Sequence, residues 1–327
     1  MIRMHLGATL RSLATAALLL VAWSAALAQE YPARTVTIVL GYAPGSGPDP
    51  IARHFAHKLA ELAGRPFIVE NRQGALTIIA AEAVARARPD GYTVLFTSGN
   101  STMAANPHMF KKLSYDPTRD FTPVTTVYRT AFVLVVNPQL PVNSVAELTA
   151  YLKNRKTKAN YGYSGSLGLA TAELYKSLAG LDSTAISYKN PLQSIPDLAA
   201  GTLDFLFMDS GVVQAQVRAN KIRALAVTPQ QRASLFPDLP TMEQAGVSGY
   251  DLSGWFAVYL PANAPAAIVD RLSGWFNRIL ANEETRQLMM KLGADPFPGS
   301  PQSLAQHHAR ELEKWGRILR AAKVEPE

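Results

Sequence analysis

Thr35 to Leu40 (TVTIVL) is an unbroken β-branched and apolar run, the pattern of a strand covered on both faces. Glycine, serine and proline crowd the next stretch, and Asp49-Pro50 then predicts a helix start, with Asp49 as N-cap and Pro50 in the first helical position. Apolar residues recur at helical spacing through Leu62, and Gly64 predicts the stop. PFIVEN (66–71) reads as a second strand and the alanine-rich 77–88 as a helix. Residues 90–100 (DGYTVLFTSGN) read as a turn, a strand and a polar loop. Strand and helix in alternation predict an α/β sheet with parallel strands.

The alternation repeats with different content. AFVLVVN (131–137) is a strand. SVAELTAYLKNR (144–155) is a helix with Ser144 as cap and Glu147 completing a capping box. Strands follow at 159–163, 184–189, 203–209 and 222–228, separated by helices at 169–179, 193–200 and 211–220. SGWFAVYLPA (253–262) is a further strand, and amphipathic helices cover 265–281 and 301–322. Two α/β lobes are expected: 29–130 with 251–327 as the first, and 131–250 as the second, joined by two hinge strands. Ligands of such folds sit beyond the carboxyl ends of strands, in the crevice between lobes. That directs attention to 41–49, 72–77, 97–102, 163–168, 188–192 and 209–211.

The first 28 residues need separate treatment. Arg3 and Arg11 precede an apolar run of ten, LATAALLLVA (13–22), and ALA (26–28) fits a small-x-small cleavage site. An exported, periplasmic protein cleaved after Ala28 is expected. The leader holds two basic residues and no acidic one, which leaves 30 basic against 25 acidic residues, a net +5. This modest excess is dispersed, which argues against a nucleic-acid surface. There is no cysteine. Thiolate nucleophiles and cysteine-ligated metals are thereby excluded, and a chain of this length needs no disulfides to hold a core.

The junction VLGYAPGSGPDPIAR (39–53) admits three chemistries. A phosphate loop needs a lysine after its last glycine, but Pro48-Asp49 follows Gly47. A nucleophile elbow needs G-x-S-x-G. The first glycine is missing around Ser46, and the last from GYSGS (162–166). His54, His57, His108, His307 and His308 remain outside the leader, and those on the first and last helices read as solvated positions. His54 and His57 have no evident third ligand, so no metal is expected. The remaining chemistry is non-catalytic anion binding, with Gly/Ser loops and helix N-termini presenting backbone N–H groups. No cofactor is implied.

Five motifs in register carry a resemblance over nearly the whole chain beyond the leader: VENRQGA (69–75), ARPDGYTVLF (87–96), NPHMFKKLSYDPTRDFTPV (106–124), KIRALAVT (221–228) and LPTMEQAGVSGYDLSGWFAVYLPANAP (239–265). Together they resemble the substrate-binding receptors of tripartite tricarboxylate transporters, the Bug proteins. The resemblance implies a type II periplasmic-binding-protein fold. It also implies capture of organic acid anions, often di- or tricarboxylates, by a monomer for delivery to membrane permease subunits. A receptor presenting its ligand to a membrane signalling partner would have the same binding lobes. In the family one carboxylate is held by backbone amides of the loops matching 41–49 and 72–77. Hydroxyls and amides of the loops matching 97–102, 163–168 and 209 complete the site. Carried over, this points to Tyr42, Ala43, Ser46, Asp49, Ser98, Asn100, Ser164, Ser166 and Asp209, with Gly45, Thr77, Gly99, Ser101 and Gly165 from the same loops.

The chain departs from the family pattern in those loops. Gly41, Ser46 and Pro48 stand where proline, glycine and threonine are common. Leu76-Thr77-Ile78-Ile79 replaces a stretch usually rich in glycine, and Asn190-Pro191 replaces glycines after Tyr188-Lys189. These changes point to a ligand with an aromatic or otherwise apolar body.

Overall fold

The computed structural model describes residues 31–326, so the leader and its cleavage after Ala28 lie outside the described residues. β1 (Val36–Leu40) pairs in parallel with β2 (Phe67–Asn71) on one side and β3 (Thr93–Ser98) on the other. Both faces of β1 are covered, as its unbroken apolar run requires. Val36, Ile38 and Leu40 join Ile51, Phe55 and Leu59 of α1 (Pro48–Ala63), while Val39 packs with Ala80, Ala81 and Val84 of α2 (Ile78–Ala85).

The first sheet is mixed. Its order is β11-β4-β10-β3-β1-β2, with β4 at Phe121–Thr130, β10 at Gly254–Pro261 and β11 at Ala294–Pro296. β10 runs antiparallel to both β3 and β4. The second sheet has the order β7-β6-β8-β5-β9. Its strands are β5 (Phe132–Val136), β6 (Ala159–Tyr163), β7 (Ser183–Ser187), β8 (Phe205–Asp209) and β9 (Arg223–Val227). There β5 is the antiparallel member, paired with β8 and β9. The two-lobed α/β architecture stands, but neither sheet is purely parallel.

The chain passes between sheets at two adjacent places. Only Ala131 separates β4 from β5, and its carbonyl accepts from Ser210 N–H at 2.9 Å. The return segment is tied to this crossing by Phe132 N–H donating to Thr228 Oγ1 (3.0 Å) and Leu252 N–H to Thr228 O (3.4 Å).

Several sequence readings need correction. β4 was hidden by its threonines and Pro123. A register shift opposite Val258/Tyr259 absorbs the proline, and Val124, Val127 and Tyr128 carry the strand's burial. Beyond α8 (Ala266–Leu280), the helix α9 (Glu283–Lys291) was masked because only Thr285 and Met289 of it are buried. The expected polar loop after β3 is a wide helical turn, Gly99–Ala105, in which Asn106 N–H reaches five residues back to Ser101 O. It runs into α3 (Asn106–Met109). Ser144 caps α4 (Val145–Lys153) by accepting from Glu147 N–H at 3.1 Å. Glu147 does not complete the box, because its carboxylate accepts from Asn143 N–H (2.7 Å), one residue earlier.

The second lobe adds α5 (Gly165–Ala179), α6 (Ile195–Ala199) and α7 (Ser210–Arg218). The last helix, α10 (Pro301–Ala321), serves both sheets. Leu304 packs with Leu95 and Tyr259 of the first sheet, whereas Trp315, Ile318 and Leu319 join Tyr161, Phe205 and Phe207 of the second. His307 and His308 on this helix are not solvated. His307 packs edge-on to Trp255, and burial pushes its pKa down to about 4. His308 is buried against Tyr259.

Candidate functional site

The loop after β1 is built around one carboxylate. Asp49 is not the N-cap of α1: Gly47 takes that place, Pro48 is the first helical residue, and Asp49 sits buried in the first turn. Asp49 Oδ2 accepts from Gly45 N–H and Arg53 Nε, each at 2.9 Å, and Oδ1 accepts from Asn71 Nδ2 at 2.9 Å. Asn71 also donates to Tyr42 O (2.9 Å) and accepts from Arg53 Nη2 (2.9 Å). Burial opposes ionisation of Asp49, but these donors outweigh it and hold its pKa below the usual carboxylate value. Asp49 therefore braces the loop, with both oxygens engaged inside it.

Ser46 is also turned inward. Its N–H (3.1 Å) and Oγ (2.6 Å) both donate to Ala43 O. Gly45 supplies a positive φ of 77° for this turn. Among the described residues, the amides of Tyr42 and Ala43 meet no acceptor. These two, with the equally unpaired amides of Gly41 and Gly47 and not that of Ser46, are the loop's available donors.

The neighbouring segment is strained. Ala75, Leu76 and Thr77 all have positive φ, at 44°, 49° and 73°, where glycine is the natural occupant. Thr77 is buried, and its hydroxyl lies 2.5 Å from Thr102 Oγ1, which in turn lies 2.6 Å from Thr97 Oγ1. A Cβ built at Gly41 would stand 2.8 Å from Thr77 Cβ, so Gly41 makes the room that Thr77 fills.

At the end of β3, Ser98 Oγ donates to Asn100 Oδ1 (3.0 Å) and accepts from Ser101 N–H (3.3 Å). Asn100 Oδ1 also accepts from Trp255 N–H at 3.1 Å, which fastens this turn to β10. Gly99 is required because the Trp255 ring occupies the place of a Cβ. Among the described residues Asn100 Nδ2 has no acceptor, so the carboxamide has two free N–H groups.

The candidates of the second lobe lie at the ends of its strands β6 and β8. Gly165 begins α5 with φ +69°, and Ser164 is its N-cap residue without using its side chain to cap. Among the described residues the hydroxyls of Ser164 and Ser166 make no hydrogen bond. Asp209 ends β8 and caps α7, its Oδ1 accepting from Gly211 N–H at 2.9 Å. Burial pushes its pKa up to about 6, and the Gly211 and Val212 amides only partly offset this.

Tyr128 belongs with these groups and went unread with the rest of β4. Its ring stacks on Phe256 with centroids 4.5 Å apart, and Phe256 lies 5.7 Å from the Tyr42 ring. The Tyr42 hydroxyl reaches toward Ser98, and burial raises its pKa to about 12. Burial also raises the Tyr128 pKa, with Tyr42 and Asp209 near enough to add to the shift. Tyr128 thus joins Tyr42 of the first lobe to Asp209 of the second. Its missed signal was a tyrosine one residue from an arginine in a threonine-rich run, which no periodicity singles out.

In the first lobe the Asn71–Asp49 clamp and the Tyr42–Phe256–Tyr128 contacts set the loop after β1, and in the second Ser164 and Ser166 stand at the start of α5; Tyr128 and Phe256 themselves are buried in the core. A model of the family described as the tripartite tricarboxylate transporter family receptor matches residues 51–324. A UPF0065 protein of Bordetella pertussis is 32% identical over 97% of this chain and 98% of its own length. The solved structure of R. palustris Rpa4515 with adipate is 34% identical, with a TM-score of 0.76, covering 91% of this chain and all of that one. MatC of Rhodopseudomonas palustris with bound malate is 28% identical at a TM-score of 0.71, covering 88% of this chain and all of that one. With a matching family model over most of its length, the chain belongs to the tripartite tricarboxylate transporter receptor family.

Proposed function

We propose that this chain is a periplasmic receptor that captures an organic dicarboxylate with an apolar or aromatic body and delivers it, as a monomer, to the membrane permease of a tripartite tricarboxylate-type system. The reading is supported by uncommitted donors in each lobe: the Tyr42 and Ala43 amides and Asn100 Nδ2 in the first, and the Ser164 and Ser166 hydroxyls in the second. One carboxylate is held by the amides of Tyr42 and Ala43 with Asn100 Nδ2. The other meets Ser164, Ser166 and the N-terminus of α5, where the helix dipole favours negative charge. The half-buried Tyr42 ring, backed by the Phe256–Tyr128 stack, receives the body. Gly45, Ser46, Asp49, Thr77, Ser98 and Gly99 shape the crevice without direct contact, because their polar groups are engaged or their backbone is packed. Asp209, with a pKa near 6, donates a proton to a ligand oxygen in mildly acidic medium.

The binding of adipate and malate by relatives at 34% and 28% identity supports a dicarboxylate. The export reading rests on the leader pattern, and among the described residues no helix is long and apolar enough to cross a membrane. Closing around the ligand requires contacts that both lobes make only when shut, which this division of donors supplies. Titration calorimetry against malate, adipate, citrate and a benzene dicarboxylate tests the proposal. Tightest binding is expected for adipate or the aromatic diacid. Tight citrate binding that Ser164→Ala with Ser166→Ala weakens, with neither of those bound, would overturn the apolar-body reading, and no binding of any acid would overturn the receptor reading.

A further inference from the structure

A cavity of about 540 Å³ lies where the two lobes meet at the β11 side of the first sheet. From the first lobe it draws Arg129, Arg286 and Asp295, and from the second Arg232, Gln231 and Ser234. Ser234 N–H donates to Asp295 Oδ1 at 3.3 Å across the boundary. Some arginines elsewhere pair with carboxylates, as Arg34 does with Asp90 and Arg53 with Asp49, and others, such as Arg223 and Arg271, donate to backbone carbonyls. Among the described residues Arg129, Arg232 and Arg286 pair with none, although three guanidinium groups line one volume.

Two of the three are held in position by uncharged partners. Arg129 Nη2 donates to Gln231 Oε1, and its guanidinium stands 5.8 Å from the Phe297 ring centroid. Arg232 donates from Nη1 to Pro237 O (2.9 Å) and from Nε to Gln244 Oε1 (3.3 Å). Each retains further N–H groups, and among the described residues the Arg286 guanidinium meets no acceptor. A planar guanidinium fork fixed on one edge presents its other edge to an oxyanion in bidentate geometry. Asp295 is the single carboxylate in the lining and is already used by Ser234, which leaves an excess of positive charge in a space fit for a small molecule.

We propose that this cavity is a second anion site, separate from the crevice, which takes a small polyvalent oxyanion carrying at least two phosphate or carboxylate groups. Such an anion bridges Arg129 and Arg286 of one lobe to Arg232 of the other.

Calorimetric titration of the full chain beyond the leader with pyrophosphate, and separately with citrate, at low ionic strength tests this and distinguishes phosphate from carboxylate. At least one probe is expected to bind one to one. Its affinity should fall at least tenfold in Arg129→Gln and in Arg286→Gln, fall steeply with added salt, and stay unchanged in Ser164→Ala. Arg232→Gln provides a third variant on an exposed side chain, and circular-dichroism melting verifies that each is folded. Absence of binding by both probes, or binding that the arginine variants leave unchanged, overturns the proposal.

Discussion

The two walls of the crevice are built on opposite plans. The first-lobe wall is over-determined. Asp49, Arg53 and Asn71 lock the β1 loop, Thr77, Thr102 and Thr97 lock the next segment, and Asn100 is fastened to β10. The second-lobe wall has helix N-termini whose side chains are largely uncommitted: Ser164 and Ser166 are free among the described residues, and only Asp209 is tied, to its own helix. A fixed wall holds backbone amides where a carboxylate can meet them without reorganisation, and a lightly tied wall can adjust to ligands of different length.

The largest effect is expected from breaking the fixed wall. Asp49→Ala removes the acceptor of Gly45 N–H, one of the two acceptors of Asn71 Nδ2 and the partner of Arg53 at this part-buried place, at a cost of about 2 kcal/mol. Chemical denaturation should show this loss, and calorimetry should show loss of ligand binding with it. Arg53→Ala should cost less, since half of that side chain is exposed. A stable Asp49→Ala protein with unchanged affinity would break the comparison.

The adjustable wall predicts a pH effect. Asp209 has a folded pKa near 6 against an ordinary 3.8, so the folded state binds its proton more tightly than the unfolded chain. The ionised form is the one that folding disfavours. Stability of the unliganded protein should therefore fall as pH rises from about 4 through 6, by on the order of 2 kcal/mol. Asp209→Asn should remove this fall, as read from denaturation midpoints at pH ~4.5 and ~7.5. An identical pH dependence in the variant would show that Asp209 is not the group concerned.

The serines should behave differently again. Ser164→Ala with Ser166→Ala is expected to weaken dicarboxylate binding about tenfold, the value of one or two hydrogen bonds to a charged group, while leaving the melting temperature unchanged. A lower melting temperature would mean that these hydroxyls support the fold, which would erase the contrast between walls.

How much of this was legible depends on where the signal sits. β1 and α1 were plain because their burial follows the periods of strand and helix, as in Val36, Ile38 and Leu40 or Ile51, Phe55 and Leu59. β4 was not, because its tyrosine and valines alternate with threonines around a proline that only a bulge accommodates. In the site, the loops could be located from glycine and serine content, but which groups within them are free could not. Ser46 and Asp49 look like ligands in sequence, yet their hydrogen bonds close inside the loop. That outcome is decided by Ala43 O, Arg53 and Asn71, of which Asn71 is 22 residues away from Asp49. Tyr128 reaches the crevice only because β4 and β10 are neighbours, a long-range fact.

The smallest expected effects address the strain in the fixed wall. Leu76 holds a positive φ while exposing about half of its side chain, so it has the cost of that conformation and little burial in return. Leu76→Gly removes about 1–2 kcal/mol of strain and loses somewhat less to the greater freedom of the unfolded chain. A net gain of about 0.5 kcal/mol is expected in denaturation experiments. Thr77→Gly should go the other way by about 1 kcal/mol, because the Thr102 partner and the contact over Gly41 are lost with the side chain. Gly41→Ala clashes with Thr77 Cβ and should also destabilise the protein. In the double variant Gly41→Ala, Thr77→Gly the new methyl enters the space the threonine has left, so the loss should be smaller than the sum of the two singles. Strict additivity would mean that Gly41 and Thr77 do not form one packed unit, and that the rigidity of this wall rests on the Asp49 clamp alone.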